Sequence, residues 1–255
     1  MKKCIWCRQD ENKTTFNKTA HIVPQALGGE QICENVCDKC NEFFGSHFQK
    51  FPSVETIIKE AFNISRIRFL IHFGEIGKNK ILTKPTSHFF DIDIKKRKFE
   101  LKLAYKLQKG YQEKLCRLLK KGIYKMFLEE TERRNNNALD NQYDFIREFA
   151  RYDLGDYPVF YYERTSAVIL TPVELVKRPQ FIIGGVGLKY LVNEPCFMEF
   201  EFLGHVFSIA TTRYWAIAFD NYLAKSEKAK SGFFRGFIPL NRFNDFDFAL
   251  KILDN

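Results

Sequence analysis

Apolar residues recur with helical spacing in two long stretches. Over residues 53–72, Val54, Ile57, Ile58, Ala61, Phe62 and Ile64 fall on one stripe, and Ser53 and Glu55 suit a helix N-terminus. Over residues 111–134, Leu115, Leu118, Leu119, Ile123, Met126 and Phe127 share a face, while Lys114, Arg117, Lys120, Lys121 and Lys125 make the opposite face basic. Residues 18–23 read as a short strand ended by Pro24, Gly28-Gly29 as a turn, and residues 37–46 as a knuckle running into a helix. Residues 89–103 alternate apolar and polar on both sides of Lys95-Lys96-Arg97-Lys98, which predicts a hairpin with a basic tip. A loop at Asn135-Asn136-Asn137 precedes a helix reaching residue 152. Short apolar runs follow at 159–162, 167–170, 181–183, 198–203 and 206–210, with a tight turn at Gly204-His205. Helices first and antiparallel strands later predict an α+β fold, since βαβ alternation is missing.

Composition narrows the class. The chain has 255 residues, 45% of them apolar, with 40 Lys plus Arg against 31 Asp plus Glu and a net charge of +9. Collagen-like, low-complexity and wholly disordered chains are excluded. No apolar run approaches the ~18 residues of a membrane span, and the N-terminus lacks the apolar segment of a secretion signal. The expectation is a cytoplasmic protein with no membrane partner. Charge is uneven: residues 1–50 carry +1, residues 51–134 carry +10 and residues 135–255 carry −2. A basic middle points to a polyanion, because lysines and arginines that neutralise phosphates release counterions.

The cysteines are clustered. Five of seven lie in the first 40 residues, and Cys4, Cys7, Cys37 and Cys40 form two C-x-x-C pairs. Without a secretion signal this spacing indicates a metal rather than disulfides. Two such knuckles close a tetrahedral four-thiolate Zn2+ site, with Cys33 left as a small buried residue. A closed thiolate site holds a fold and leaves catalysis to other residues.

Between the knuckles stand Thr19-Ala20-His21-Ile22-Val23-Pro24, Gly28-Gly29, Asn35 and Cys37-Asp38-Lys39-Cys40-Asn41. Together and in this order they resemble the HNH endonucleases, whose site is two strands and a helix around a metal. The likeness is closest to the zinc-containing, Asn-ended variants, and covers residues 4–47. It implies a small zinc-stapled ββα-metal module at 1–50, followed by a larger α+β domain at 51–255. The resemblance makes His21 the general base, Asn41 a ligand of a catalytic Mg2+ or Mn2+, and Asn35 the residue that fixes the loop holding His21. Histidine suits this work because its unperturbed pKa lies near neutrality.

One position departs from the family pattern. The residue before the base is usually acidic or His and helps hold the metal; here it is Ala20. His47, Glu42 or Glu34 are the residues expected to make up the difference. His72, His88 and His205 are read as structural or solvated, and Gly184-Gly185-Val186-Gly187 as a loop.

The expectation is therefore a metal-dependent endonuclease that hydrolyses DNA, in a setting such as restriction or phage defence. Lys95, Lys96, Arg97 and Lys98, with Lys120 and Lys121, are the expected backbone-phosphate contacts within 51–134. The strand-rich 135–255 is expected to serve regulation or assembly, a homodimer included. The alternative is a zinc-stapled nucleic-acid-binding protein without catalysis, with Ala20 marking a lost metal site.

Overall fold

A computed structural model describes residues 1–47, 51–75, 87–93, 96, 98–102, 110–164, 171–183, 196–229, 234–247 and 250. The chain opens with the first Cys-x-x-Cys turn, then β1 (Ala20–His21) pairs antiparallel with β2 (Ile32–Cys33), placing Ala20 opposite Cys33 and His21 opposite Ile32. The two-glycine turn between them has a steric cause. A Cβ on Gly29 would lie 2.1 Å from the Val23 carbonyl oxygen, which no side chain tolerates. The helix α1 (Asp38–Gly45) begins immediately after Cys37 and carries Cys40 and Asn41 on its first turn.

Two long helices follow the predicted stripes closely. α2 (Val54–His72) is capped by Ser53, whose hydroxyl accepts from the Thr56 amide at 3.0 Å. α3 (Tyr111–Asn135) crosses α2 where Gly122 faces Ile58; a Cβ there would meet Ile58 Cγ1 at 2.5 Å. Between them, β3 (Phe90–Asp93) and β4 (Lys98–Leu101) form the expected hairpin.

After α3 the chain makes a 3-10 turn at Asn141–Tyr143, an α turn at Asp144–Ile146 and a π turn at Arg147–Arg151. A five-stranded antiparallel sheet comes next, built from β5 (Val159–Arg164), β6 (Ile182–Ile183), β7 (Phe197–Phe202), β8 (His205–Ala210) and β9 (Phe234–Pro239) in the order β6-β7-β8-β5-β9. A short helix α4 (Val173–Lys177) precedes β6, and α5 (Trp215–Ala229) lies between β8 and β9. Strands at 159–162, 181–183, 198–203 and 206–210 thus appear at or near their predicted positions. The strand expected at 167–170 and the loop at 184–187 lie outside the described residues.

The β7–β8 turn is centred one residue earlier than predicted. Leu203 and Gly204 both adopt positive φ, 47° and 81°, and His205 is already a strand residue. His205 is fully buried, with Nε2 2.6 Å from Ser65 Oγ of α2, so it ties sheet to helix.

One apolar core runs from Cys4, Trp6 and Phe44 through Ile57, Phe62, Tyr124 and Phe149 to Phe207 and Phe246. The N-terminal module packs on the same core as the helices and the sheet. This burial has a consequence for α3. On the face predicted to be basic, Lys114 is exposed and Arg117 half-buried, while Lys120, Lys121 and Lys125, the first two expected to meet phosphate, are buried beneath the N-terminal module and the chain after residue 151. Among the described residues, no helix is long and apolar enough to cross a membrane.

Candidate active site and metal centre

Cys4, Cys7, Cys37 and Cys40 converge until their sulfurs all lie within 4.8 Å of one another. Each knuckle is set by local backbone. The Arg8 amide returns to the Cys4 carbonyl at 2.9 Å, and the Asn41 amide to the Cys37 carbonyl at 2.9 Å. The thiols share charge unequally. The Cys40 thiol donates to the Cys4 sulfur and holds Cys4 down at about 5, whereas burial pushes Cys7 up to about 11 and the bond to Cys4 raises Cys40. Four thiolates at this separation repel, and a divalent cation lets all four deprotonate together. Soft sulfur donors in a closed cluster fit zinc. Cys33 stands outside the cluster; burial raises its thiol far above the usual range.

Arg151, at the end of the π turn, reaches back to this centre. Its Nε lies 3.5 Å from Cys40 Sγ and its guanidinium 4.1 Å from the Phe43 ring centroid.

Beside the cluster lies a cleft of ≈ 520 Å³. β1 contributes His21, α1 contributes Asn41 and Glu42, and the first turns of α2 contribute Ser53, Glu55, Thr56 and Lys59. Strand alternation explains the division at 20 and 21. His21 is partly exposed toward the cleft, while Ala20, 2% exposed, points into the core. Asn41 Nδ2 donates to the Thr19 carbonyl at 3.1 Å, which fixes the amide and turns its Oδ1 away from that strand. The α2 N-terminus opens on the same cleft, adding the partial positive charge of its free amides.

The expected site residues separate into groups. His21 and Asn41 line one cleft next to the thiolate cluster. Asn35 does not line it; its Nδ2 donates to Glu132 Oε1 of α3 at 2.5 Å, and its carbonyl accepts from the Ile5 amide at 2.9 Å. Asn35 therefore joins the second knuckle to α3 and to the first knuckle. His47 lies beyond the end of α1, which stops at Gly45, and is exposed with its ring 6.5 Å from that of His88; a step of six residues is also about a third of a turn off the helix face of Asn41.

The expected phosphate contacts are also divided. Lys120 pairs with Asp156 at 2.7 Å and Lys121 with Asp153 at 2.5 Å, so both ammonium groups serve the packing of the 153–156 loop on α3. Burial lowers the Lys121 pKa. Lys96 is exposed at the hairpin tip. Lys95 and Arg97 lie outside the described residues, as does the side chain of Lys98.

Three residues at the site lacked a site role in the sequence reading: Glu55 was read as a helix terminus, Lys125 as part of a helix face, and Glu129 was not singled out. Lys125, fully buried, donates from Nζ to the His21 carbonyl at 2.8 Å and to Glu129 Oε2 at 2.8 Å, and lies 3.5 Å from Glu55 Oε1. Glu129 Oε1 accepts from Trp6 Nε1 at 3.1 Å, between the two thiolates of the first knuckle in sequence. The available signal was the spacing Lys125–Glu129, four residues apart on a helix whose neighbouring positions are apolar.

No curated protein and no solved structure matches this chain. Residues 4–53, which span the thiolate cluster, β1, β2, α1 and the cap of α2, match the family model described as HNH endonuclease.

Proposed function

We propose that this chain is a metal-dependent endonuclease that hydrolyses DNA phosphodiester bonds. The observation that carries the reading is the placement of His21 and Asn41 on one cleft beside four clustered thiols, in the stretch similar to HNH endonucleases. Zinc is the ion proposed for the thiolates, and Mg2+ or Mn2+ for the oxygen and nitrogen donors of the cleft. His21 takes a proton from a water molecule as its oxygen attacks phosphorus, the P–O3′ bond breaks, the 3′ oxygen takes a proton from solvent water to leave as a hydroxyl, and His21 gives its proton back to solvent. The 5′-phosphate remains on the other fragment. A divalent ion held by Asn41 Oδ1 would offset the charge on the phosphorane and the leaving oxygen. The amides at the start of α2 suit a phosphate entering the cleft. Lys96, exposed at the hairpin tip, and the basic run Lys95, Arg97 and Lys98 around it in sequence are proposed to hold flanking backbone phosphate, a contact that carries little sequence information.

Supercoiled plasmid incubated with Mg2+ or Mn2+ tests this directly. Nicking that EDTA abolishes is expected. His21→Ala should slow it about 10²–10⁴-fold while leaving zinc content and DNA affinity near native. The buried Ala20 favours a second reading, a zinc-stapled nucleic-acid-binding protein without catalysis. Binding without cleavage in either ion supports that alternative.

A further inference from the structure

The cleft contains a carboxylate beyond the matched stretch. Glu55 stands on the first turn of α2, two residues past the end of the family match. Its two oxygens are placed from opposite sides. Oε1 lies 3.5 Å from Lys125 Nζ, the atom that also donates to the His21 carbonyl at 2.8 Å. Oε2 faces α1, and a Cβ built on Gly45 would lie 3.6 Å from it. Gly45 is four residues after Asn41 and so shares its helix face, which places this oxygen in van der Waals reach of that face. Backbone of the general-base strand, the Glu55 carboxylate and the Asn41 face of α1 are thereby drawn to one part of the cleft.

The donor chemistry suits a hard cation. Asn41 Nδ2 is engaged by the Thr19 carbonyl, which leaves Oδ1 to meet an ion. Ala20 has no donor and points into the core. Glu42 also lines the cleft, but its side chain is 55% exposed and paired with Lys18, whereas that of Glu55 is 27% exposed. Lys125 does not cancel Glu55, because Glu129 sits closer to the same ammonium, at 2.8 Å. The geometry points to Glu55 as the carboxylate ligand of a divalent cation in this cleft, beside Asn41 Oδ1, in place of the ligand that Ala20 cannot supply. The ion's use in hydrolysis rests on the nuclease reading; its binding by Glu55 does not.

The test is Mn2+ binding to the zinc-loaded full chain, followed by electron paramagnetic resonance of the free ion. Glu55→Gln should weaken Mn2+ binding at least about tenfold, Glu42→Gln should stay within about twofold of wild type, and zinc content should not change. Glu55→Asp keeps the charge near Lys125 but withdraws the carboxylate by one methylene, and it too should weaken the ion. Equal affinity in wild type and Glu55→Gln, including no binding by either, overturns the assignment. So does an equal loss in Glu42→Gln, which would mean a diffuse field rather than a ligand. A lowered Tm with unaltered Mn2+ affinity in Glu55→Gln would make Glu55 only a counter-ion of Lys125, and also overturns it. Plasmid nicking separates the two conclusions: wild type that binds Mn2+ through Glu55 but never nicks sinks the nuclease reading alone. Wild type that nicks while Glu55→Gln binds Mn2+ normally sinks the Glu55 assignment alone.

Discussion

Lys125 Nζ donates to the backbone carbonyl of His21 at 2.8 Å, across 104 residues of sequence. The ammonium is fully buried and shares its charge with Glu129 and Glu55. The strand β1 that carries His21 has only two residues and one short partner, so its position depends on this bond from α3. Lys125→Met should leave the buried Glu129 without its cation and the His21 carbonyl without its donor, at a cost of about 3–5 kcal/mol. For a chain of this size that lowers Tm by roughly 6–20 °C. The double variant Lys125→Met, Glu129→Leu removes both charges and should recover most of the loss, yet nick plasmid more slowly than wild type. Calorimetry and nicking read the two effects apart; a double variant as fast as wild type would remove Lys125 from any positioning role.

Glu129 adds a pH dependence. Burial raises its carboxyl from 4.5 to about 7, opposed by Lys125 and the Trp6 bond and reinforced by the charge on Glu55. The folded chain therefore holds a proton that the unfolded chain has released between these values. Its contribution to stability is full below about 4.5 and is lost as pH rises through about 7. Over that window, wild-type Tm should fall relative to that of Glu129→Gln. Parallel Tm curves for the two proteins would contradict the raised pKa.

Removing one thiolate should expose what the cluster holds. Cys37→Ser is expected to drop metal below one zinc per chain, because a three-ligand site binds far more weakly. The Asp38 cap of the preceding loop, which accepts from Thr15 Oγ1 and the Lys18 amide, should loosen with it. The remaining core still packs, so limited proteolysis should cut first within residues 1–47. Elemental analysis that finds no zinc in the native protein would rule out the ion assignment.

Ala20→Asp should destabilise the fold rather than repair the cation site. Position 20 is 2% exposed and faces the core, so an introduced carboxylate is buried without a partner. The expected cost is on the order of 3 kcal/mol. A lower Mn2+ requirement with native Tm would instead show that the strand can turn this position to the cleft.

The local structure was legible because its causes are local. An apolar stripe with a Ser53 cap specifies α2, an apolar stripe specifies α3, paired knuckles specify the cysteine cluster, and alternation around four basic residues specifies the β3–β4 hairpin. The helix α5 and strand β9 gave less signal. Tyr214 and Ile217 lie exposed at and near the start of α5, which blurs its apolar stripe, and β9 is broken by Gly236.

The sequence by itself determined the two long helices, the β3–β4 hairpin and the two Cys-x-x-Cys knuckles, because spacing along the chain carries that information; the pairing of His21 with Asn41 came from the resemblance of residues 4–47 to HNH endonucleases. Which charges are buried was decided only in three dimensions. Lys120, Lys121 and Lys125 look alike on a helical wheel, yet Asp156, Asp153 and Glu129 with the His21 carbonyl claim them one by one. Asn35 is claimed by Glu132 in the same way, and Glu55 is brought to the cleft by the approach of α2 to α1. A buried ion pair forms only where distant segments exclude water around it, and that exclusion is a property of the packed core rather than of any window of sequence.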